Sequence, residues 1–362
     1  MIIPGEARGG RWLRGAGLTA FTLYCGWVLL IDRGNGPAAE AGATAAEVTS
    51  FSEVRFLALG DVNLGRRVGQ VILKGDTIYP FARVADTLRG YDIVFANLES
   101  NISDQHGRTQ SPRNNMVFTA PPAAAQALKR AGVRIVATAN NHALDFGVSA
   151  RDETIRYLDS AGVAHCGTSG KGQSPYLPAL LRVNGIRIAF FAVTDLMNGP
   201  ASGWKDLVAR ADTAGLLPAI RAVRDSSDVV VVSYHGGVEY APTASERTRG
   251  FARQVLEGGA DIVLGHHPHV PYGIESAGKK VAVHSLGNFV FMQPDRYWTR
   301  FSFALSFDIV RDGTGTRIRS LRALPLRAGF QPEFLPPGGE AATIIQRVRL
   351  LSSQDVQEHM TW

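Results

Sequence analysis

The chain has 362 residues, of which 45% are hydrophobic and 19% are charged, an ordinary globular composition with enough apolar residues for a sizeable core. The 38 lysines and arginines only slightly outnumber the 32 acidic residues, and no basic block is interleaved with aromatic residues. We therefore expect no nucleic-acid partner.

The N-terminus carries the pattern of a membrane segment. Three arginines precede an uncharged run over residues 15–31, which Asp32 and Arg33 close. Its length lies between that of a signal core and that of a membrane span, so residues 1–33 are predicted to be a signal anchor or a cleaved signal peptide, with a buried helix as a third interpretation. The upstream arginines indicate that the rest of the chain is exported.

The remaining chain divides by composition into three parts. Residues 34–50 are rich in Ala and Gly and predict a flexible linker, residues 51–331 form the main domain, and residues 332–362 form a C-terminal tail with a short helix. Cys25 lies in the apolar run and Cys166 near a strand end, which makes them a poor disulfide pair.

Hydrophobic periodicity predicts alternating strands and helices, followed by a β-rich last third. The predicted strands cover residues 56–59, 93–96, 134–138, 229–233, 262–264, 280–285, 289–291, 303–310 and 317–326. The predicted helices cover residues 79–88, 121–130, 150–161, 217–224, 244–257 and 341–351. A hairpin over residues 180–193 turns at Asn184-Gly185. The pattern predicts an α/β fold of two packed mixed β-sheets flanked by helices, in which ligands bind at the carboxyl ends of strands.

Short polar motifs follow five of the predicted strands. They are Gly60-Asp61-Val62-Asn63, Asn97-Leu98-Glu99, Asn140-Asn141-His142, His235-Gly236-Gly237-Val238-Glu239 and His266-His267-Pro268-His269. Taken singly, an Asp or Glu can be a cap, and a His after an apolar run can be a satisfied core residue. Five such strand ends in one chain favour one shared metal site.

The His-Pro-His segment is the strongest single element. Residues two apart on an extended segment point the same way, so His267 and His269 would converge, with Pro268 holding the backbone extended. His266 competes for the role given to His267, which we prefer because of the spacing. Imidazole suits zinc, iron, manganese and nickel.

The order of the motifs resembles the calcineurin-like metallophosphatase superfamily, and more closely its CapA branch, the poly-γ-glutamate capsule synthesis proteins. The resemblance covers residues 55–293. It rests on Asn97-Leu98-Glu99, Asn140-Asn141-His142-Ala143-Leu144-Asp145-Phe146-Gly147, Gly259-Ala260-Asp261 before His-Pro-His, and Ser285-Leu286-Gly287-Asn288-Phe289.

The resemblance implies a metallophosphatase-like αββα sandwich that holds one or two divalent metal ions (Mn, Zn, Fe or Mg). Asp61 and His269 would bind one ion, and Glu99 would bridge the two. Asn141, His235 and His267 would bind the other ion.

The resemblance also implies catalytic and substrate contacts. His142 would stabilise the transition state or protonate a leaving group, and Glu239 is a further acid. Arg66 and Asn140 would contact an anionic substrate.

Two positions depart from the phosphatase pattern. Asn63 stands where a phosphatase has the His of Asp-x-His, and Glu99 replaces the bridging Asp. An amide is a weaker ligand than an imidazole, and Glu lengthens the ligand arm by one methylene. Both changes argue against ordinary phosphodiester hydrolysis.

Three functions follow as hypotheses. The first is an extracytoplasmic CapA-like protein in the synthesis, export or metal-assisted hydrolysis of poly-γ-glutamate or a similar envelope polymer. The second is a divalent-metal phosphoesterase, and the third is a non-catalytic polymer-binding partner of a capsule export machine. The expected partners are the anionic polymer, the membrane and other membrane capsule proteins. The expected location is the cell membrane with a single span, or the periplasm or exterior if the signal is cleaved.

Overall fold

The computed structural model describes residues 51–199, 203–204 and 206–361, which belong to one compact unit. The predicted signal anchor or signal peptide over residues 1–33 and the linker over residues 34–50 lie outside this description. Within the described ranges, no helix has the length and apolar character needed to span a membrane.

Short strands and helices alternate along the described chain. The strands are β1 (Ser52–Val62), β2 (Ile93–Leu98), β3 (Asn101–Ile102), β4 (Thr119–Ala120), β5 (Ile135–Ala137), β6 (Ala164–Cys166), β7 (Ala179–Val183), β8 (Ile186–Thr194), β9 (Val229–His235), β10 (Ile262–His266), β11 (Ile274–Ala277), β12 (Lys280–Val283), β13 (Phe301–Asp312), β14 (Gly315–Arg327) and β15 (Glu333–Phe334). The helices are α1 (Arg66–Leu73), α2 (Ala85–Arg89), α3 (Ala124–Ala131), α4 (Gly147–Ala161), α5 (Thr213–Arg224), α6 (Glu246–Glu257), α7 (Gly339–Leu350) and α8 (Gln354–His359).

Two mixed sheets form the centre of the fold. The first sheet has the order β15-β14-β13-β1-β2-β5-β6, and the second has the order β11-β12-β10-β9-β8-β7. In the first sheet, β1, β2, β5 and β6 run parallel, and in the second β12, β10, β9 and β8 do so. Antiparallel strands complete both sheets. The predicted α/β class with two mixed sheets flanked by helices is confirmed.

The apolar residues form three main cores, one between the sheets and one between each sheet and its helices. Between the sheets, the ring of Phe56 lies 4.6 Å from that of Phe307 and 6.0 Å from that of Phe190, measured between centroids. Outward-facing residues of the first sheet, such as Leu57, pack with α1 to α4, and those of the second, such as Val230, pack with α5 and α6. Each fully buried side chain of this size contributes about 1.5–3 kcal/mol, so the polar strand ends rest on a rigid double sheet.

Local sequence signals set several element boundaries. Asn184 and Gly185 both have positive φ angles, 49° and 80°, which suits the tight turn of the predicted β7–β8 hairpin. Asp212 accepts a hydrogen bond from the backbone N–H of Ala214 at the start of α5. Ser245 does the same for Thr248 at the start of α6.

Two predicted elements differ in the structure. The helix predicted over residues 79–88 is a short 3-10 turn at Tyr79–Phe81 followed by α2. The backbone N–H groups of Ala82 and Val84 bond to the carbonyls three residues before them, which is the 3-10 pattern and not the α-helical one. The strand predicted over residues 289–291 is wrong. These residues form a buried loop whose backbone bonds to the end of β1 instead of extending a ladder.

The helix predicted over residues 341–351 is confirmed as α7. Its Ile344 and Val348 join the core between the sheets, together with Val356 of α8 and Met360. Ser352 Oγ accepts from the backbone N–H of Ile274, 2.9 Å away. The residues assigned to a tail therefore pack into the same unit as the main domain.

Candidate metal centre

The carboxyl ends of four parallel strands meet at one edge of the double sheet. Asp61 of β1 is the register partner of Asn97 of β2, and His235 of β9 is the register partner of His266 of β10. All four side chains are fully buried. Gly60 permits the close approach of the loop after β12, because a Cβ there would lie 2.0 Å from the carbonyl oxygen of Gly287.

Glu99, just past β2, lies at the centre of this edge. Its Oε1 is 3.8 Å from the Nε2 atoms of His142, His235 and His269. Both carboxylate oxygens are buried and have no hydrogen-bond partner. Burial, together with the nearby carboxylate of Asp61, raises the pKa of Glu99 well above its ordinary value.

The Asp61 carboxylate, in contrast, is fully engaged. Its Oδ1 accepts from Asn97 Nδ2 at 2.8 Å and lies 3.2 Å from His266 Nδ1. Its Oδ2 lies 3.3 Å from His269 Nδ1 and 3.3 Å from the backbone nitrogen of His267. Burial alone would raise the pKa of Asp61, but the contacts with His266 and His269 outweigh it and hold the pKa well below its ordinary value.

Two sets of potential ligand atoms each lie within 4.8 Å of one another: Glu99, His267 and His269 form one set, and Asp61, Glu99 and His235 form the other. Glu99 is common to both, as a bridging ligand would be. These sets differ from the ligand assignment that the family resemblance implies. That assignment placed Asp61 and His269 on the same ion, whereas here they fall in different sets. The assignment of ligands to individual ions stays a prediction.

The His267-Pro268-His269 segment is not extended, so that expectation was wrong. His267 and His269 have φ angles of 95° and 59°, in the left-handed region. The resulting turn places their rings 5.7 Å apart. Such a backbone costs about 1–3 kcal/mol per residue, and it is kept here where two imidazoles converge on one carboxylate.

Two of the buried imidazoles, His235 and His267, favour the neutral form that binds metals. Burial, with a smaller effect of His267, lowers the pKa of His235 well below its ordinary value. Burial and the neighbouring His269 lower the pKa of His267 to about 3. A buried carboxylate without a hydrogen-bond partner among the described residues, with imidazole nitrogens around it, fits a divalent cation, which would supply the missing positive charge.

The two adjacent asparagines have different surroundings. Asn141 Oδ1 lies 2.9 Å from His235 Nε2, at the edge of the cluster. Asn140 is 1% exposed, and its amide donates to the carbonyl of Leu98 and to Asn97 Oδ1. Its Oδ1 accepts from the backbone N–H of His142. These bonds occupy the polar atoms of Asn140, so it positions the loop and has no free donor for a substrate.

His142 is held by a carboxylate that sequence reasoning did not assign. Asp145 Oδ2 lies 2.8 Å from His142 Nδ1 and accepts from the backbone N–H of Phe118. The Phe118 ring stacks on the imidazole, with 4.1 Å between centroids. The signal for Asp145 was its place in the Asn-Asn-His-x-x-Asp motif. The pair leaves His142 Nε2 facing Glu99.

Two further asparagines support the cluster. Both belong to the motifs that carry the family resemblance, but the sequence predicted no role for either. Asn97 bonds Asp61, as above, and Asn288 Oδ1 lies 2.8 Å from His269 Nδ1. Asn63 is turned away from this role, because its Oδ1 accepts from the backbone N–H of Gly65 at 2.8 Å in a local turn.

Arg66 and Glu239 lie at the mouth of the site. The Arg66 guanidinium lies over the Phe118 ring, 4.5 Å from its centroid, and lines a cavity of about 480 Å³ together with Tyr240. Glu239 is half-buried and outside both sets of ligand atoms. Burial and the carboxylate of Glu239 raise the pKa of Tyr240 to about 12.

Among solved structures, the chain is similar to a novel phosphatase from Mycoplasma pneumoniae, with 13% identity and a TM-score of 0.46 over 77% of this chain and 95% of that one. Among curated proteins, it is 33% identical over 272 residues to the PGA biosynthesis protein CapA of Bacillus subtilis (strain 168), covering 71% of this chain and 68% of that protein. It is 30% identical over 280 residues to the capsule biosynthesis protein CapA of Bacillus anthracis, covering 75% of this chain and 67% of that protein.

The family model described as bacterial capsule synthesis protein PGA_cap matches residues 55–293, which contain the whole candidate metal centre. This match confirms the resemblance to the CapA branch. The chain belongs to the PGA_cap family of bacterial capsule synthesis proteins.

Proposed function

We propose that this protein uses one or two divalent metal ions (Mn, Zn, Fe or Mg) to hydrolyse or transfer an amide bond of poly-γ-glutamate or a similar anionic envelope polymer. The names of the curated relatives, a PGA biosynthesis protein and a capsule biosynthesis protein, support the substrate class. The motif order of the metallophosphatase superfamily supports the use of metals.

One observation carries the proposal. Glu99 is a fully buried carboxylate without a hydrogen-bond partner, and three imidazole nitrogens lie 3.8 Å from it. Leaving a carboxylate unpaired in the interior costs free energy, and no lysine or arginine of the described residues forms an ion pair with Glu99. A divalent cation bound between these imidazoles and Glu99 would supply the compensating charge.

Different residues of the site would bind the metal, transfer a proton and hold the substrate. Asp61, Glu99, His235, His267 and His269 would hold the metal, which polarises a carbonyl oxygen and activates water when it is bound. In hydrolysis, water adds to the carbonyl carbon, the C–N bond breaks, and a carboxylate and an amine are released. His142, oriented through Nδ1 by Asp145, would carry a proton at Nε2 to the leaving nitrogen. Arg66 would hold a neighbouring carboxylate of the polymer.

The place of Asn63 favours this reaction over phosphodiester hydrolysis. The phosphatase pattern requires a histidine ligand at this position, and here the side chain closes a turn onto Gly65. The Arg-lined mouth of the site suits a carboxylate polymer. The proposal places the protein at the outer face of the cell membrane, beside other capsule proteins.

The test compares substrates and variants of the purified protein loaded with each candidate metal. We expect the wild type to shorten poly-γ-glutamate, measured by chromatography, and to act weakly on a generic phosphodiester. His269→Ala should lose metal, measured by elemental analysis, and activity together. His142→Gln should keep the metal and lose about 100-fold or more in turnover.

His106→Gln is the matched control, because His106 is exposed and lies outside the cluster. Turnover of the phosphodiester alone would replace the proposal with the phosphoesterase hypothesis. Metal-independent polymer binding, without turnover of either substrate, would favour a non-catalytic partner of the capsule machine.

A further inference from the structure

Two cavities at the mouth of the site adjoin each other across shared residues. The first, of about 480 Å³, is lined by Arg66 and Arg296 among others. The second, of about 380 Å³, is lined by Arg66, Arg67 and Arg108. Arg66 and Gln110 belong to both linings, so the two cavities form one surface, named here the arginine groove.

The charge of the arginine groove is not neutralised within the described chain. Its four arginines, Arg66, Arg67, Arg108 and Arg296, face a lining with one carboxylate, Asp295. None of the four guanidinium groups lies within 4.0 Å of a carboxylate oxygen of a described residue. The groove is therefore open to an anionic ligand.

Three of these arginines lie over aromatic rings instead of carboxylates, and Arg66 over Phe118 is the first. Arg67 Cζ is 5.2 Å from the ring centroid of Phe330, and Arg296 Cζ is 4.4 Å from that of Tyr240. Arg247, an exposed arginine outside the groove, is instead paired with Asp195. Stacking fixes the plane of a guanidinium and leaves its N–H groups available for a ligand.

The inner end of the arginine groove reaches the candidate metal centre. Arg66 lies over Phe118, whose ring stacks on His142. The ring of Tyr240, in the same cavity lining, lies 6.1 Å from that of His269. One side chain separates the groove from the residues that would carry out the reaction.

We propose that the arginine groove binds an extended polymer with a carboxylate on each repeat, so that several repeats lie along it while one bond lies at the metal centre. This inference rests on the proposed function, to which it adds how the substrate is held. A guanidinium binds a carboxylate through two parallel N–H groups. Contacts along one chain reinforce one another, so a long polymer binds more tightly than a short one.

The test measures the binding of labelled poly-γ-glutamate by fluorescence anisotropy, using the metal-loaded full chain. We expect Arg67→Gln with Arg108→Gln to weaken binding of a long polymer about 10-fold, and binding of an oligomer of about five residues less than twofold. Both arginines are exposed, so the fold should be unchanged, as checked by thermal melting. The weakening should shrink at high salt.

The charge-matched control is Arg182→Gln with Arg221→Gln, which removes two exposed arginines outside the groove. It should bind both ligands as the wild type does. Unchanged binding of the long polymer by the groove variant would overturn the inference. Equally tight binding of polyphosphate by the wild type would overturn the assignment to a carboxylate polymer.

The outcome is separable from that of the proposed function. Length-dependent binding without any hydrolysis would support the arginine groove and overturn the hydrolase proposal. Metal-dependent hydrolysis, together with a binding affinity that is independent of polymer length, would support the hydrolase proposal and overturn the arginine groove.

Discussion

Two glutamates of this protein lie beside histidines, Glu99 fully buried and Glu275 half-buried, and they differ in what neutralises them. Glu275 of β11 is paired with Arg249 of α6, and its Oε1 lies 3.2 Å from His284 Nε2. Glu99 lies among three histidines, but within the described part of the chain no arginine or lysine forms an ion pair with it and its carboxylate has no hydrogen-bond partner.

The pKa directions of the two carboxyl groups are opposite. The hydrogen bond with His284, opposed by burial and aided by Arg249, lowers the pKa of Glu275 to about 2. Burial raises the pKa of Glu99 well above its ordinary value. A histidine near a carboxylate therefore does not mark a metal site. The informative feature is a carboxylate whose charge the chain itself leaves uncompensated.

Glu99→Gln tests the difference between the two glutamates most directly. We expect metal affinity to fall by at least about 100-fold, since loss of groups that only support a ligand already costs about 10–100-fold. In the absence of metal, the variant should be more stable than the wild type at pH 7 by about 1–3 kcal/mol, because a neutral amide is cheaper to bury than an unpaired carboxylate. Calorimetric titration and chemical unfolding measure the two effects.

Adding metal should reverse the order of stability. The wild type gains about 2.7 kcal/mol at a metal concentration 100 times its Kd, and the variant gains little. A Glu99→Gln protein that is less stable than the wild type without metal would show that Glu99 is a structural carboxylate, like Glu275.

Glu275→Gln should show the opposite behaviour. The pKa of Glu275 is lower in the folded protein, at about 2, than in the unfolded chain, so its contribution to stability is complete above about pH 4.5 and is lost as the pH falls through about 2. We expect the variant to lose about 1–3 kcal/mol of unfolding free energy at pH 7.

Urea unfolding across this pH range measures the difference between wild type and variant, which should shrink toward zero at the acid end. Metal affinity should be unchanged, because Glu275 lies outside both sets of ligand atoms. A difference that is independent of pH would mean that packing, not the ion pair, explains the loss.

Much of this site could be predicted from the sequence, because the ends of strands can be located from apolar runs. Asp61, Glu99 and His235 each follow an apolar run, and parallel strands with the same polarity bring their carboxyl ends together. The meeting of these strand ends follows from the order of strands and helices alone, which the hydrophobic periodicity predicts correctly for most of the chain. It could predict a shared site without predicting any side-chain direction.

Side-chain directions depended on loop backbones that no periodicity encodes. The convergence of His267 and His269 comes from two left-handed residues, not from the extended segment that spacing suggested. Whether Asn140 faces a substrate or the loop depends on its bonds to Leu98 and Asn97, which are distant in sequence. The wrong strand at residues 289–291 has a similar origin, since a buried apolar run alone does not show whether its backbone pairs in a ladder.

Asn63→Ala should have the smallest effect. The side chain closes a turn by accepting from the backbone N–H of Gly65, so its loss should cost about 0.5–1.5 kcal/mol of unfolding free energy. Metal affinity and turnover should stay within about twofold of the wild type, since Asn63 Oδ1 already accepts from the backbone N–H of Gly65. A loss of metal as large as that expected for His269→Ala would return Asn63 to the ligand position of the phosphatase pattern, and would weaken the case for an amide over a phosphodiester substrate.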